Sequence, residues 1–131
     1  MTPVLDSSFI IALIRKKEEA LQKLSELEDE YSSISTTEIN ILELYRGAYL
    51  STKIYHNLEQ VKDILKGFHI IELDESVYEV YASLSANLIS KGNSIGSFDE
   101  LIAAIALCHN EKIVTRDKHF KEVSQLDVIM Y

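Results

Sequence analysis

Four acidic residues, Asp6, Glu43, Asp99 and Asp117, stand where ordinary structural duties explain them poorly. Asp6 closes the short apolar run Val4-Leu5, and Asp117 follows Val114-Thr115 by two residues. Asp99 sits in the first turn of a helical segment rich in Ala, Ile and Leu. Glu43 interrupts the apolar run Ile41-Leu42-Glu43-Leu44-Tyr45. A carboxylate in such a setting is costly to bury unless something pairs with it. Several carboxylates brought to one pocket raise one another's pKa, and a divalent cation removes that penalty. Oxygen ligands alone suit hard cations, Mg²⁺ or Mn²⁺. A cation held this way acidifies a water and neutralises charge on a phosphodiester, chemistry that needs neither histidine nor cysteine.

Each acid also has a structural reading. Asp6 fits a helix N-cap, Asp117 a turn and Asp99 an acid favoured by the helix dipole. Glu43 fits a solvated helix face least well, given its neighbours. The patterns Ser35-Thr36-Thr37-Glu38 and Ser97-Phe98-Asp99-Glu100 both match capping boxes, which gives Glu38 and Glu100 structural work. Gly47, one turn after Glu43 on the same face, either admits a close backbone or substrate or ends the helix.

The elements that must position these acids follow from periodicity. Residues 3–5 form a short strand, and 9–14 (FIIALI) a buried helix directly after it. Helices are expected over 17–30, 36–50 (ending near Gly47), 54–65, 77–89 and 98–109. Strands are expected over 31–35 (YSSIS), 69–73 (HIIEL), 112–115 (KIVT) and 128–130, with a loop at 92–96 (GNSIG). Short apolar strands alternating with helices indicate an α/β domain with a mostly parallel sheet covered on both faces. Ligands in such domains bind beyond the carboxyl ends of the strands, where Asp6 and Asp117 fall.

The 131 residues fit one domain, with 47% hydrophobic and 26% charged residues, an ordinary globular balance. The lone cysteine, Cys108, excludes an internal disulfide or a zinc cage and points to the cytoplasm. No apolar run approaches a membrane span, and the N-terminus does not read as a signal peptide. The net charge of −8 is unusual for a protein that grips phosphates through a basic patch. Acid committed to cations that the phosphates share would resolve that conflict. His56, His69, His109 and His119 are scattered, Cys108 reads as buried and inert, and the seven tyrosines read as core or dimer contacts.

Taken together, these residues resemble the PIN-domain nucleases, and within them the VapC-type toxin ribonucleases of toxin–antitoxin pairs. Val4-Leu5-Asp6-Ser7-Ser8 is similar to the family's first acidic motif, and Glu43-Leu44-Tyr45-Arg46-Gly47-Ala48 to the second, E-L-x-x-G-A. Gly96-Ser97-Phe98-Asp99-Glu100-Leu101-Ile102-Ala103-Ala104 is similar to the third, D-x-x-I-A-A. Ile113-Val114-Thr115-Arg116-Asp117 with Phe120 is similar to the fourth, T-R-(D/N)-x-x-F. The motifs occur in family order and span nearly the whole chain; residues 51–91 match only as generic helices and a strand.

The resemblance implies a three-layer α/β/α fold and an endoribonuclease dependent on Mg²⁺ or Mn²⁺. Asp6, Glu43 and Asp99 would be the main metal ligands and Asp117 would complete the set. Ser7 and Thr115 would support them. Arg46, Arg116 and Lys118 lie near the acidic motifs in sequence and read either as contacts to flanking phosphates or as solvated surface charges. In-line attack by water would leave a 5′-phosphate and a 3′-hydroxyl. A homodimer and a small antitoxin filling the groove beside the acids are also implied.

Three other readings compete: an RNA-processing or DNA nuclease of the same fold without an antitoxin, a non-catalytic binding module, and a Mg²⁺-binding signalling receiver. A neighbouring reading frame for a small protein separates the first from the toxin. The intact acid set argues against the second. The third would use Asp74 as phosphoacceptor but lacks a suitable later lysine, since Lys118 follows the wrong acid pattern.

Overall fold

The computed structural model describes residues 2–131. Five strands, β1 (Pro3–Leu5), β2 (Ser35–Thr37), β3 (His69–Ile71), β4 (Lys112–Thr115) and β5 (Val128–Met130), form one sheet in the order β3-β2-β1-β4-β5. Every pairing is parallel. The helices are α1 (Ser7–Ile14), α2 (Glu18–Glu30), α3 (Glu38–Tyr49), α4 (Ile54–Leu65), α5 (Ser76–Ser90) and α6 (Ser97–Cys108), with a 3-10 turn over Lys118–Glu122.

Parallel strands buried on both faces need apolar side chains on both. β1 shows why the layering is three deep. Val4 packs into a core with Ile113, Val77, Leu88 and Ile102, beneath α5 and α6. Its neighbour Leu5 points the other way, into a core with Val114, Phe9, Leu27 and Val61, beneath α1, α2 and α4. Successive strand residues alternate faces, so the pairs Val4/Leu5 and Ile113/Val114 each feed both cores. Each fully buried Val, Leu or Ile contributes roughly 1.5–3 kcal/mol of hydrophobic stabilisation.

The sheet order reverses direction between β1 and β4, which opens a crevice at their carboxyl ends. Asp6 follows β1 there, and its backbone N–H donates to the Val114 carbonyl at 3.0 Å. β1 and β4, far apart in the sequence, therefore meet at this crevice.

The second strand departs from expectation. It covers Ser35–Thr37 rather than residues 31–35, because Thr36 and Thr37 pair with Ile70 and Ile71, and the buried Thr36 hydroxyl donates to the Leu5 carbonyl at 2.8 Å. The capping box moves with it: Thr37 caps α3 and its partner is Asn40, not Glu38. Glu38 instead accepts the Leu73 backbone N–H, tying α3 to the segment after β3. The other expected box also differs. Gly96, at φ 103°, occupies the N-cap of α6. Buried Glu100 reaches back over that turn to the Ser94 hydroxyl (3.0 Å) and the Ile95 N–H (3.2 Å). Only glycine adopts that backbone cheaply.

Candidate active site

Asp6, Glu43 and Asp99 converge. One carboxylate oxygen from each lies within 4.8 Å of the other two. Asp6 arrives from the end of β1, Glu43 from the second turn of α3 and Asp99 from the first turn of α6. Asp6 holds the N-cap position of α1, yet its side chain makes no capping bond. Its carboxylate is occupied by the site: the Thr115 hydroxyl donates to Oδ2 at 2.8 Å, Ser8 donates to Oδ2 at 3.2 Å, and Asn40 Nδ2 reaches Oδ1 at 3.3 Å. Thr115 is oriented in turn by the Asp117 N–H, which donates to its Oγ1 at 2.9 Å. The Ser7 hydroxyl donates to Glu43 Oε1 at 2.8 Å.

The electrostatics are those of like charges held together. Burial pushes the Asp99 carboxyl up, and the charges of Asp6, Glu43 and Asp117 push it further, to about 7. Burial also raises Asp6, against the opposing hydrogen bonds led by that of Thr115. Glu43 is raised by burial and by Asp6, with the Ser7 bond opposing. Three carboxylates with a shared appetite for positive charge, offering only oxygen, fit a hard divalent cation.

Asp117 stands apart from this trio. Its Oδ1 accepts the His119 backbone N–H at 2.9 Å, capping the 3-10 turn, and lies 3.0 Å from His119 Nδ1. It is still near enough for its charge to raise both Asp6 and Asp99. The basic residues differ among themselves. Arg46 is exposed, its guanidinium 5.1 Å from the centre of the Phe98 ring. Arg116 is engaged, paired with Glu19 at 2.8 Å and lying over Tyr131. Lys118 is exposed. Gly47 does not end α3, which runs on to Tyr49. A side chain there would meet no atom within 4 Å, because Gly47 lines an open groove of about 300 Å³ with Ile11, Ile14, Arg15, Glu43 and Gln60. Cys108 is half-buried with its thiol 3.2 Å from the Ser76 carbonyl, and burial raises its pKa.

The profile of the PIN domain matches residues 4–126. The chain belongs to the PIN domain family. Its fold agrees with solved relatives. The crystal structure of VapBC2 from Rickettsia felis bound to a promoter DNA fragment contains a chain that superposes with a TM-score of 0.93 at 26% identity, covering 100% of this chain and 99% of that one. The crystal structure of FitAcB from Neisseria gonorrhoeae gives a TM-score of 0.85 at 26% identity, covering 98% and 96%. In sequence, ribonuclease VapC2 of Rickettsia felis is 29% identical over 127 residues, covering 96% of this chain and 95% of the relative.

Within this PIN domain one polar residue of the site escaped the motif reading. Asn40 is fully buried and touches Asp6 and Ser7. The signal was present: Asn40 breaks the run Ile39-Asn40-Ile41-Leu42 one turn before Glu43, on the same helix face (i, i+3).

Proposed function

We propose that this PIN domain, a single nuclease domain across residues 1–131, is a metal-dependent endoribonuclease and the toxin of a toxin–antitoxin pair. The observation that carries the reading is the convergence of Asp6, Glu43 and Asp99 oxygens within 4.8 Å at the crevice between β1 and β4. The likeness to a ribonuclease along almost the whole length of both chains supports it.

Asp6, Glu43 and Asp99 would hold Mg²⁺ or Mn²⁺, with Asp117 adding negative charge from the rim. When bound, the cation supplies a Lewis acid that acidifies water and offsets charge on the phosphodiester. The chain's own residues do the rest. Thr115 and Ser7 direct hydrogens at the carboxylates and fix which oxygens face inward. Asp6 is buried and Glu43 and Asp99 are half-buried, which limits the solvent that reaches Asp6. Arg46 and Lys118, both exposed, supply charge for flanking phosphates. Arg116 can do so only by leaving Glu19. Cleavage leaves a 5′-phosphate and a 3′-hydroxyl.

The groove lined by Ile11, Ile14, Arg15 and Gly47 ends at Glu43 and suits an antitoxin segment, which would block the acids by occupancy. The likeness to a chain of the VapBC2 crystal structure from Rickettsia felis supports such a partner. Exposed Leu42 and Tyr49 on α3 suit a homodimer. Among the described residues no helix is long and apolar enough to cross a membrane, and we place the activity in the cytoplasm, where its RNA substrate is.

The deciding experiment incubates the purified protein with a mixed RNA pool in Mg²⁺, Mn²⁺ or EDTA, beside Asp99→Asn. Cleavage that requires the cation and vanishes in the variant establishes the site. Full activity in Asp99→Asn, or undiminished cleavage in EDTA, refutes it.

A further inference from the structure

The buried Asn40 amide is oriented without ambiguity. The Thr37 backbone N–H can only donate, and it meets the Asn40 side chain at 3.3 Å; the Thr37 hydroxyl meets it at 2.8 Å. The amide oxygen must therefore face β2. That turns Nδ2 into the site, where it reaches Asp6 Oδ1 at 3.3 Å and Ser7 Oγ at 2.9 Å. Because Ser7 Oγ accepts from Asn40, its single hydrogen is free for Glu43 Oε1, 2.8 Å away. The donors run in one direction, from a strand peptide through a side-chain amide to two of the three clustered carboxylates.

A neutral donor suits this place. A lysine or arginine would neutralise Asp6 and Glu43 itself and compete with a cation. An apolar residue would leave Asp6 Oδ1 and Ser7 Oγ without this donor, and the Asp6 rotamer to Thr115 and Ser8 alone. An amide donates to Asp6 without bringing a charge of its own, so the carboxylates keep theirs for a cation.

We propose that Asn40 is a positioning residue that sets Asp6 directly, and Glu43 through Ser7, for binding a divalent cation. The proposal rests on the metal-binding reading of the acid cluster. Outer hydrogen-bond partners of metal ligands are worth about 10–100-fold in affinity.

The test measures Mn²⁺ affinity of the full chain by calorimetry, without RNA, for the unaltered protein, Asn40→Ala, Ser7→Ala and the double variant, with thermal melts of each. Asn40→Ala keeps the bond from its own backbone N–H to Thr37 Oγ1. It should bind Mn²⁺ about tenfold more weakly, and Ser7→Ala more weakly by a smaller factor. The double variant should lose less than the product of the two, since both cut the same link to Glu43. Unchanged Mn²⁺ affinity in Asn40→Ala, or losses that multiply in full, overturns the relay. Should Asn40→Ala fail to melt cooperatively, Ser7→Ala decides: it lies half-exposed in the first turn of α1, and unchanged affinity there overturns the relay equally. No Mn²⁺ binding by the unaltered protein sinks the metal reading and the relay with it.

Discussion

The two flanks of the crevice are built on different principles. On the β1–α3 flank, Asp6 and Asn40 are buried, and Thr37, Asn40 and Ser7 pass hydrogen bonds inward to Asp6 and Glu43. On the β4 flank, the basic residues past Thr115 face solvent: Arg116, Lys118 and His119 are exposed, and Asp117 spends one oxygen on capping a turn. A group fixed by buried donors keeps its geometry before any ligand arrives. A group in solvent must be organised by what binds. The inner flank thus sets the geometry of the reaction centre, and the outer one offers charge that a substrate can recruit.

The largest expected effect is at the trio. Replacing Asp6 or Asp99 by Asn should lower RNA cleavage by several kcal/mol of transition-state stabilisation, on the order of a thousandfold, with the fold kept by circular dichroism. Next comes Thr115→Val, which removes the hydrogen directed at Asp6 while keeping the branched shape inside β4. We expect about a tenfold loss in Mn²⁺ affinity; no loss would place the control of Asp6 elsewhere. Asp117→Asn should cost less than either trio change, because Asp117 acts at a distance. A loss equal to that of Asp99→Asn would erase the contrast between the flanks. Smallest is Arg116→Ala. Its exposed pair with Glu19 is screened by solvent and adds little to stability, so the melting temperature should barely move.

Stability against pH sharpens the same contrast. In the folded chain Asp99 titrates near 7, against a usual value of 3.8. The folded state therefore holds that proton more tightly than the unfolded state, and the stability it contributes is present at low pH and lost as pH rises through about 4 to 7. The metal-free protein should melt lower at pH 8 than at pH 5, Mn²⁺ should restore the loss, and Asp99→Asn should flatten the slope. A melting temperature that climbs over this range would show that the acids do not repel one another as placed.

Much of the fold was legible in the sequence, for a physical reason. Strands 112–115 and 128–130 are short apolar runs between clear breakers, and 54–65 has a clean helical face ending at Gly67. These are local signals. The misplacement of β2 has a tertiary cause. Thr36 and Thr37 read as a helix start, but their pairing with β3 and the Thr36 bond to the Leu5 carbonyl decide the matter, and no window along the chain contains those partners. The same holds in the site. The acids stood out because charge in an apolar run is conspicuous. Asn40 carries no charge and was passed over, although the argument that singled out Glu43 applied to it. A turn role for Asp117 was legible locally; nothing local showed that Asp99 would draw close to Asp6.

The parallel pairing of β1 with β4 also has a consequence for synthesis of the chain. Asp6 obtains its backbone partner from Val114 and one of its side-chain donors from Thr115. Loops of this span close late, after nearly all the intervening residues exist. A ribosome that has made Asp6, Glu43 and even Asp99 carries the acids without the strand that seats them. Nascent chains that stop short of Thr115 should therefore carry the acids without an assembled site.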